Sequence, residues 1–190
     1  RSVQASIDGG HTFASVSGSN NHCGVTTAGE AYCWGKNPDG QFGDNSVLNP
    51  GVPVLVSGSH TWSSVDADYF HSCGVKTAGA AYCWGRNDYG QVGDNTTEHR
   101  RVPTLVYGGY TWQSIFGAIY FTCGVTTSSE GYCWGRNNYG QTDAPTDLVN
   151  PVAVTVGGSH ACALDDNGVH CWGYNGFGET DVPTDLVNPV

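Results

Sequence analysis

One feature constrains this chain more than any other: it repeats itself. Cys-Gly-Val-x-Thr occurs at Cys23, Cys73 and Cys123, a period of 50 residues. Tyr-Cys-Trp-Gly follows at Tyr32, Tyr82 and Tyr132, and His170-Cys-Trp-Gly173 closes a fourth copy. Next come Asn37-Pro-Asp-Gly-Gln41, Asn87-Asp-Tyr-Gly-Gln91, Asn137-Asn-Tyr-Gly-Gln141 and Asn175-Gly-Phe-Gly-Glu179. The fourth unit starts only 39 residues after the third, because Gln141 runs straight into Thr-Asp-Ala-Pro, whereas the first two units insert Gly-Asp-Asn and more. A repeat unit buries its apolar face only against its neighbours, so the repeat governs the fold. We divide the chain into one array of four units, at about 1–61, 62–111, 112–151 and 152–190.

Each unit reads as β. Tyr69 to Thr77 and Ala80 to Trp84 are rich in β-branched and aromatic residues and are bounded by turn formers. No stretch sustains a 3.6-residue apolar period with helix caps. Pro53, Pro103, Pro145, Pro151 and Pro183 fall between units, where connections or sheet edges belong. No apolar run approaches the roughly 18 residues of a membrane helix, so membrane insertion is not expected.

The ordered set Cys-Gly-Val-x-Thr-x-x-Gly, Tyr-Cys-Trp-Gly-x-Asn-x-x-Gly-Gln and Pro-x-x-Val resembles the regulator of chromosome condensation (RCC1) repeat, over nearly the whole chain. The resemblance implies an all-β fold of β-propeller blades, about four strands to a blade. Members of that family usually close with seven blades, and four are visible here. The short third and fourth copies look like the compact repeats of secreted bacterial β-lactamase-inhibitory relatives. The expected architecture is therefore part of a larger or oligomeric propeller-like assembly. Arg1 to Gly10 resembles the connector after Pro53, and Asp185 to Val190 repeats the phrase Asp147 to Val152. Both ends thus look cut inside connectors.

There are eight cysteines, two per unit. In three units the spacing is Cys-x9-Cys; in the fourth, Cys162 and Cys171, it is Cys-x8-Cys. The turn between them shortens in step, from Thr77-Ala-Gly79 to Asp166-Asn167. Both are ordinary hairpin loops. Counted outward from either loop, the two cysteines face each other on adjacent strands, within disulfide reach. The expected bridges are Cys23–Cys33, Cys73–Cys83, Cys123–Cys133 and Cys162–Cys171. Eight buried free thiols are the plainer alternative. Zinc is a weaker one, since His22, His71 and His160 precede cysteines but no Cys-x2-Cys knuckle occurs. Four disulfides imply an oxidising, extracellular location.

The net charge of −10 opposes nucleic acid as a partner, because five Arg and two Lys cannot lay down a phosphate-binding footprint. No Gly-x-Ser-x-Gly elbow or phosphate loop is present, and the recurring histidines read as scaffold. No catalytic residue and no cofactor are expected. The acidic loops at Asp39, Asp44 and Asn45 and at Asp88, Asp94 and Asn95 read as turn caps rather than calcium sites. Asn95-Thr-Thr97 forms a glycosylation sequon.

Trp34, Trp84, Trp134 and Trp172 share one repeat position; Trp62, Trp112 and Phe13 share another. Both sets read as packing between blades. Other aromatics vary from unit to unit. Tyr69-Phe70 and Tyr120-Phe121 precede the first cysteine where the first unit has Asn20-Asn21; Tyr89, Tyr139 and Phe177 stand where the first unit has Asp39. The resemblance to the inhibitory relatives implies that both loop sets open on one face and carry partner contacts. Simple loop packing is the alternative. The function expected is a secreted, non-catalytic protein-interaction or structural module that binds a protein partner or copies of itself. An inhibitor of a secreted enzyme is the alternative, and a guanine-nucleotide exchange factor is a further one, named by the family resemblance.

Overall fold

In a computed structural model the structure describes residues 10–183. The connector phrases before Gly10 and at Asp185 to Val190 lie outside the described residues. The fold is all-β and comprises four antiparallel sheets in chain order. The first contains β1 (Phe13–Gly18), β2 (Asn21–Thr26), β3 (Ala31–Gly35) and β4 (Val54–Leu55). The second contains β5 (Trp62–Ala67), β6 (His71–Lys76), β7 (Ala81–Gly85) and β8 (Arg100–Leu105). The third has three strands, β9 (Trp112–Gly117), β10 (Phe121–Thr126) and β11 (Gly131–Gly135). The fourth also has three: β12 (Ala153–Val156), β13 (His160–Asp165) and β14 (Gly168–Gly173). The third sheet lacks the fourth strand expected of a blade because its connector after Gln141 omits the insertion that forms β8.

The hairpins follow their turn chemistry. Lys76 and Ala80 close a three-residue loop in which Gly79 takes a φ of 84°, a left-handed conformation costing glycine little. In the fourth sheet Asp165 pairs with Gly168 across the two-residue loop. The cysteines are directly opposed in every hairpin and form Cys23–Cys33, Cys73–Cys83, Cys123–Cys133 and Cys162–Cys171 bridges.

The core lies between sheets, in three layers. Cys23, Val25, Ala31 and Phe42 of the first blade pack on Trp62, Val65 and Trp84 of the second. Cys73, Val75 and Val92 meet Trp112 and Ile115 of the third, and Phe121, Cys123 and Val125 meet Val154, Ala161 and Trp172 of the fourth. In the first three units the glycine after the first cysteine admits a ring: a Cβ on Gly74 would lie 2.8 Å from the Trp62 indole.

One polar joint recurs in each layer. The indole N–H of Trp84 donates to the main-chain oxygen of Gln41 at 2.7 Å, that of Trp134 to Gln91 at 3.0 Å, and that of Trp172 to Gln141 at 3.0 Å. Ser72 and Thr122 donate to the same Gln41 and Gln91 oxygens. Near the inner strands, the Asp66 carboxylate of β5 accepts from the Ser17 hydroxyl of β1 at 2.5 Å and from the Gly117 N–H of β9 at 2.8 Å.

No bridge crosses between blades, so each disulfide stiffens only its own hairpin. Replacing Cys73 and Cys83 together by Ala is expected to lower the unfolding free energy by about 2–4 kcal/mol in urea titration. An unchanged midpoint, or eight alkylatable thiols in the wild type, would contradict the bridges.

Candidate protein-interaction face

Two loops of each blade come together: the one joining its first two strands, and the Asn-x-x-Gly-Gln segment after its third. Their bases are tied by main-chain hydrogen bonds, Arg86 N–H to Phe70 O at 2.8 Å, Arg136 to Tyr120 at 2.9 Å and Tyr174 to Ser159 at 2.9 Å. This closeness is why glycine follows Trp34, Trp84, Trp134 and Trp172: a Cβ on Gly85 would lie 2.6 Å from the Phe70 oxygen. The second loop is wired internally. Asn87 accepts from Val92 N–H at 2.8 Å, while its amide nitrogen donates to Asp94, Thr96 and Glu98. Gln91 accepts from Tyr89 N–H at 3.0 Å, and Gln141 from Tyr139 at 2.8 Å. The glutamine side chain thus holds the loop's backbone and leaves the aromatic ring outside.

These loops build a continuous aromatic and guanidinium surface across blades two and three. Phe70 stacks on Tyr120 at 5.3 Å between centroids, Tyr69 leans on Phe70, and Tyr89 meets Tyr120 edge-on at 5.2 Å. The Arg86 guanidinium lies 5.1 Å from the Phe70 ring; that of Arg136 lies 5.4 Å from Tyr89 and 5.5 Å from Tyr120. Farther along, Tyr139 meets Tyr174 at 5.0 Å, and Tyr174 meets Phe177, which is 90% exposed. Tyr69, Tyr89 and Tyr139 are also exposed. Such contacts within the surface hold the rings in place and leave area free.

Of the seven aromatics singled out in the sequence, Tyr139 and Phe177 join Tyr174 in a second cluster, while Tyr69, Phe70, Tyr89 and Tyr120 lie on this surface. Phe121 does not. It is fully buried as the first residue of β10, packed with Ala118 and Val154. The sequence pairing of Tyr120-Phe121 with Tyr69-Phe70 was one residue out of phase. Counting from the cysteines aligns Phe70 with Tyr120, and Phe121 with Asn21, His71 and His160. A one-residue slip on a strand reverses the face. The histidines were grouped with the same slip: His22 pairs with Trp34 and stacks on it, whereas His71 occupies the inward position. Reasoning from sequence missed Arg86, Arg136 and Tyr174. The signal was the residue after Trp-Gly in each unit: Lys36, Arg86, Arg136 and Tyr174.

The acidic loops satisfy themselves. Asp44 accepts from the N–H and hydroxyl of Ser46; Asp94 does so from Thr96 and also pairs with Arg100. Asp88 binds His99 and Arg86, which hold its carboxyl below the usual range. Asn95 is exposed beside them in a left-handed conformation, φ 63°.

Models of the regulator of chromosome condensation (RCC1) repeat match residues 78–128 and, in a second version, 16–41, 62–91 and 152–179. No curated protein matches the chain. Among solved structures it is similar to human WBSCR16, with a TM-score of 0.77 and 19% identity over 88% of this chain and 49% of that one. It is similar to Prp20p of Saccharomyces cerevisiae, with a TM-score of 0.75 and 17% identity over 92% and 47%. The ectodomain of the Arabidopsis thaliana receptor kinase ACR4 has a TM-score of 0.62 at 22% identity, over 87% and 55%. The chain thus spans about half the length of the structures it matches.

Behind the face lie buried titratable groups. The Thr122 hydroxyl donates to Gln91, so it accepts from His71 Nε2 at 2.8 Å and fixes the tautomer; His71 Nδ1 has no partner. Burial lowers the His71 pKa to about 4. Burial also raises that of Asp68 to about 6, with the Asp66 charge adding to the effect against the Tyr69 N–H. The two act in opposite directions. The unfolded histidine takes its proton first, so its contribution falls as pH drops from 6.5 towards 4. The folded Asp68 takes its proton first, so its contribution rises as pH drops from about 6 towards 3.8. Asp68→Asn removes that compensation. Its urea midpoint is expected to fall more steeply than the wild type's across this window; parallel curves would disprove the opposition.

Proposed function

Because this chain belongs to the regulator of chromosome condensation (RCC1) repeat family, we propose that it is a secreted, non-catalytic protein-interaction module whose contact surface is the aromatic–guanidinium face of blades two to four. The observation that carries the proposal is the array itself. Its rings vary between units that otherwise repeat, and Tyr69, Tyr89, Tyr139 and Phe177 sit exposed on loops, those of Tyr89 and Tyr139 held by a glutamine side chain. A rigid scaffold presenting Tyr, Phe and Arg lowers the ordering cost of binding and supplies the residue types that dominate interface energy. Four disulfides support an oxidising, extracellular setting. Prp20p, similar in fold, is described by its binding to Gsp1p and histones, which is a property of that protein. Inhibition of a secreted enzyme is a narrower form of the same reading and would appear as a tight one-to-one complex.

A second element concerns the ends of the array. Among the described residues Trp34 donates to no glutamine carbonyl and Glu179 receives no indole, so one half of the joint stands at each position. The same bond could join Trp34 of one copy to Glu179 of another, which favours self-association. Light scattering on residues 1–190 is expected to show association; a stable monomer would count against self-assembly.

The face is tested by placing a photo-crosslinking residue at Tyr89 or Tyr139, with Tyr107 as an exposed aromatic outside the array. A defined cross-linked partner is expected from the first two positions and not from Tyr107. The reverse result would remove the face. Tyr89→Ser should leave the melting curve nearly unchanged, while Phe121→Ser should cost more than about 3 kcal/mol.

A further inference from the structure

The chain carries seven basic residues against a net charge of −10, and three of them, Lys36, Arg86 and Arg136, occupy the single repeat position after Trp-Gly. Two of these, Arg86 and Arg136, lie on the aromatic face described above. The two arginines are not equivalent. Arg86 is followed two residues later by Asp88, and the two form an ion pair that His99 joins. In the third blade the same position is Asn138. Arg136 consequently makes no ion pair among the described residues, and its Nε is buried without a hydrogen-bond partner. Its guanidinium lies near the rings of both Tyr89 and Tyr120. A buried, charged donor without an acceptor is costly to leave so, and the planar guanidinium can meet a carboxylate through parallel hydrogen bonds from its terminal N–H groups.

We propose that Arg136, cradled by Tyr89 and Tyr120, anchors an Asp or Glu side chain of an acidic protein segment docking on this face. The proposal rests on the interaction-face reading and names the chemistry of its partner. Blade two supplies the internal precedent: there the chain's own Asp88 occupies the guanidinium. Blade three leaves that role to an incoming carboxylate. Electrostatic steering would then favour acidic partners despite the chain's overall repulsion of them, and binding would weaken with added salt.

The probe is an acetylated, amidated hexaglutamate peptide, with hexaglutamine as the uncharged control, so that only side-chain carboxylates act. Binding is read from the Nε–H resonances of the arginines in the intact chain. The Arg136 signal is expected to shift saturably with hexaglutamate and not with hexaglutamine. Asn138→Asp installs the blade-two carboxylate beside Arg136 and should weaken binding about tenfold or more. Arg136→Gln should do the same, and both variants should keep the wild-type melting curve. Arg136→Lys, which keeps charge but loses the fork, should fall between. Equal response to hexaglutamine, no saturable shift, or undiminished binding by folded Asn138→Asp overturns the proposal. Cross-linking at Tyr89 with an unaffected Asn138→Asp variant would keep the face and discard its preference for acid. Loss of cross-linking at Tyr89 and Tyr139 would discard both.

Discussion

The rest of the structure depends on one main-chain oxygen per blade. The carbonyl of Gln41, Gln91 or Gln141 accepts the indole N–H of the next blade's tryptophan, and the loop around it is shaped to present it. A buried carbonyl must find a donor, and a buried indole must find an acceptor, so each settles the other's need in a layer otherwise apolar. At two of the three joints the approach is close, since a Cβ on Gly43 or Gly93 would meet the Trp84 or Trp134 nitrogen at 2.8 or 2.5 Å; the third carries Asp143 there and keeps the bond to Trp172. Asn, Gly, Gln and Gly in this loop, and Trp in the strand beyond, are therefore one unit of meaning spread over two repeats.

The same loop has two jobs, and its backbone separates them. Asn87 and Gln91 turn inward and fix the chain by accepting from Val92 and Tyr89 N–H groups. The residue between, Tyr89, contributes only its N–H to that network, so its side chain can change without disturbing the joint. Asp39, Tyr89, Tyr139 and Phe177 show the freedom this gives. Variation concentrates where the scaffold makes no demand, which is why the aromatic face could differ from blade to blade on an unchanging frame.

Much of the frame was legible in sequence because its rules are local. The change from Thr77-Ala-Gly79 to Asp166-Asn167 fixes hairpin register, and β-branched and aromatic runs between turn formers fix strands. What was not legible depended on phase or on the absence of a partner. Phe121 looks like a loop aromatic until its distance to Cys123 is counted, since two residues before the cysteine points inward and three points to the loop. The third blade's missing strand follows from a shortened connector that local propensity does not flag. Arg86 and Arg136 were overlooked because a count of cations says nothing of where the few cations gather.

Disulfide and joint act at different scales, and the difference bears on binding. The bridges hold pairs of strands within a blade; the Gln–Trp joints and Asp66 hold blade to blade. The aromatic face crosses that boundary, since Phe70 and Arg86 belong to blade two and Tyr120 and Arg136 to blade three. Its geometry is therefore set by the inter-blade joint rather than by the bridges. The Gln91 carbonyl, receiving Trp134 and Thr122 behind the face, links Tyr89 to the strand that leads from Tyr120. The rigidity of the face comes from a hydrogen bond buried beneath it, and loosening that joint would blur the face before it unfolded either blade.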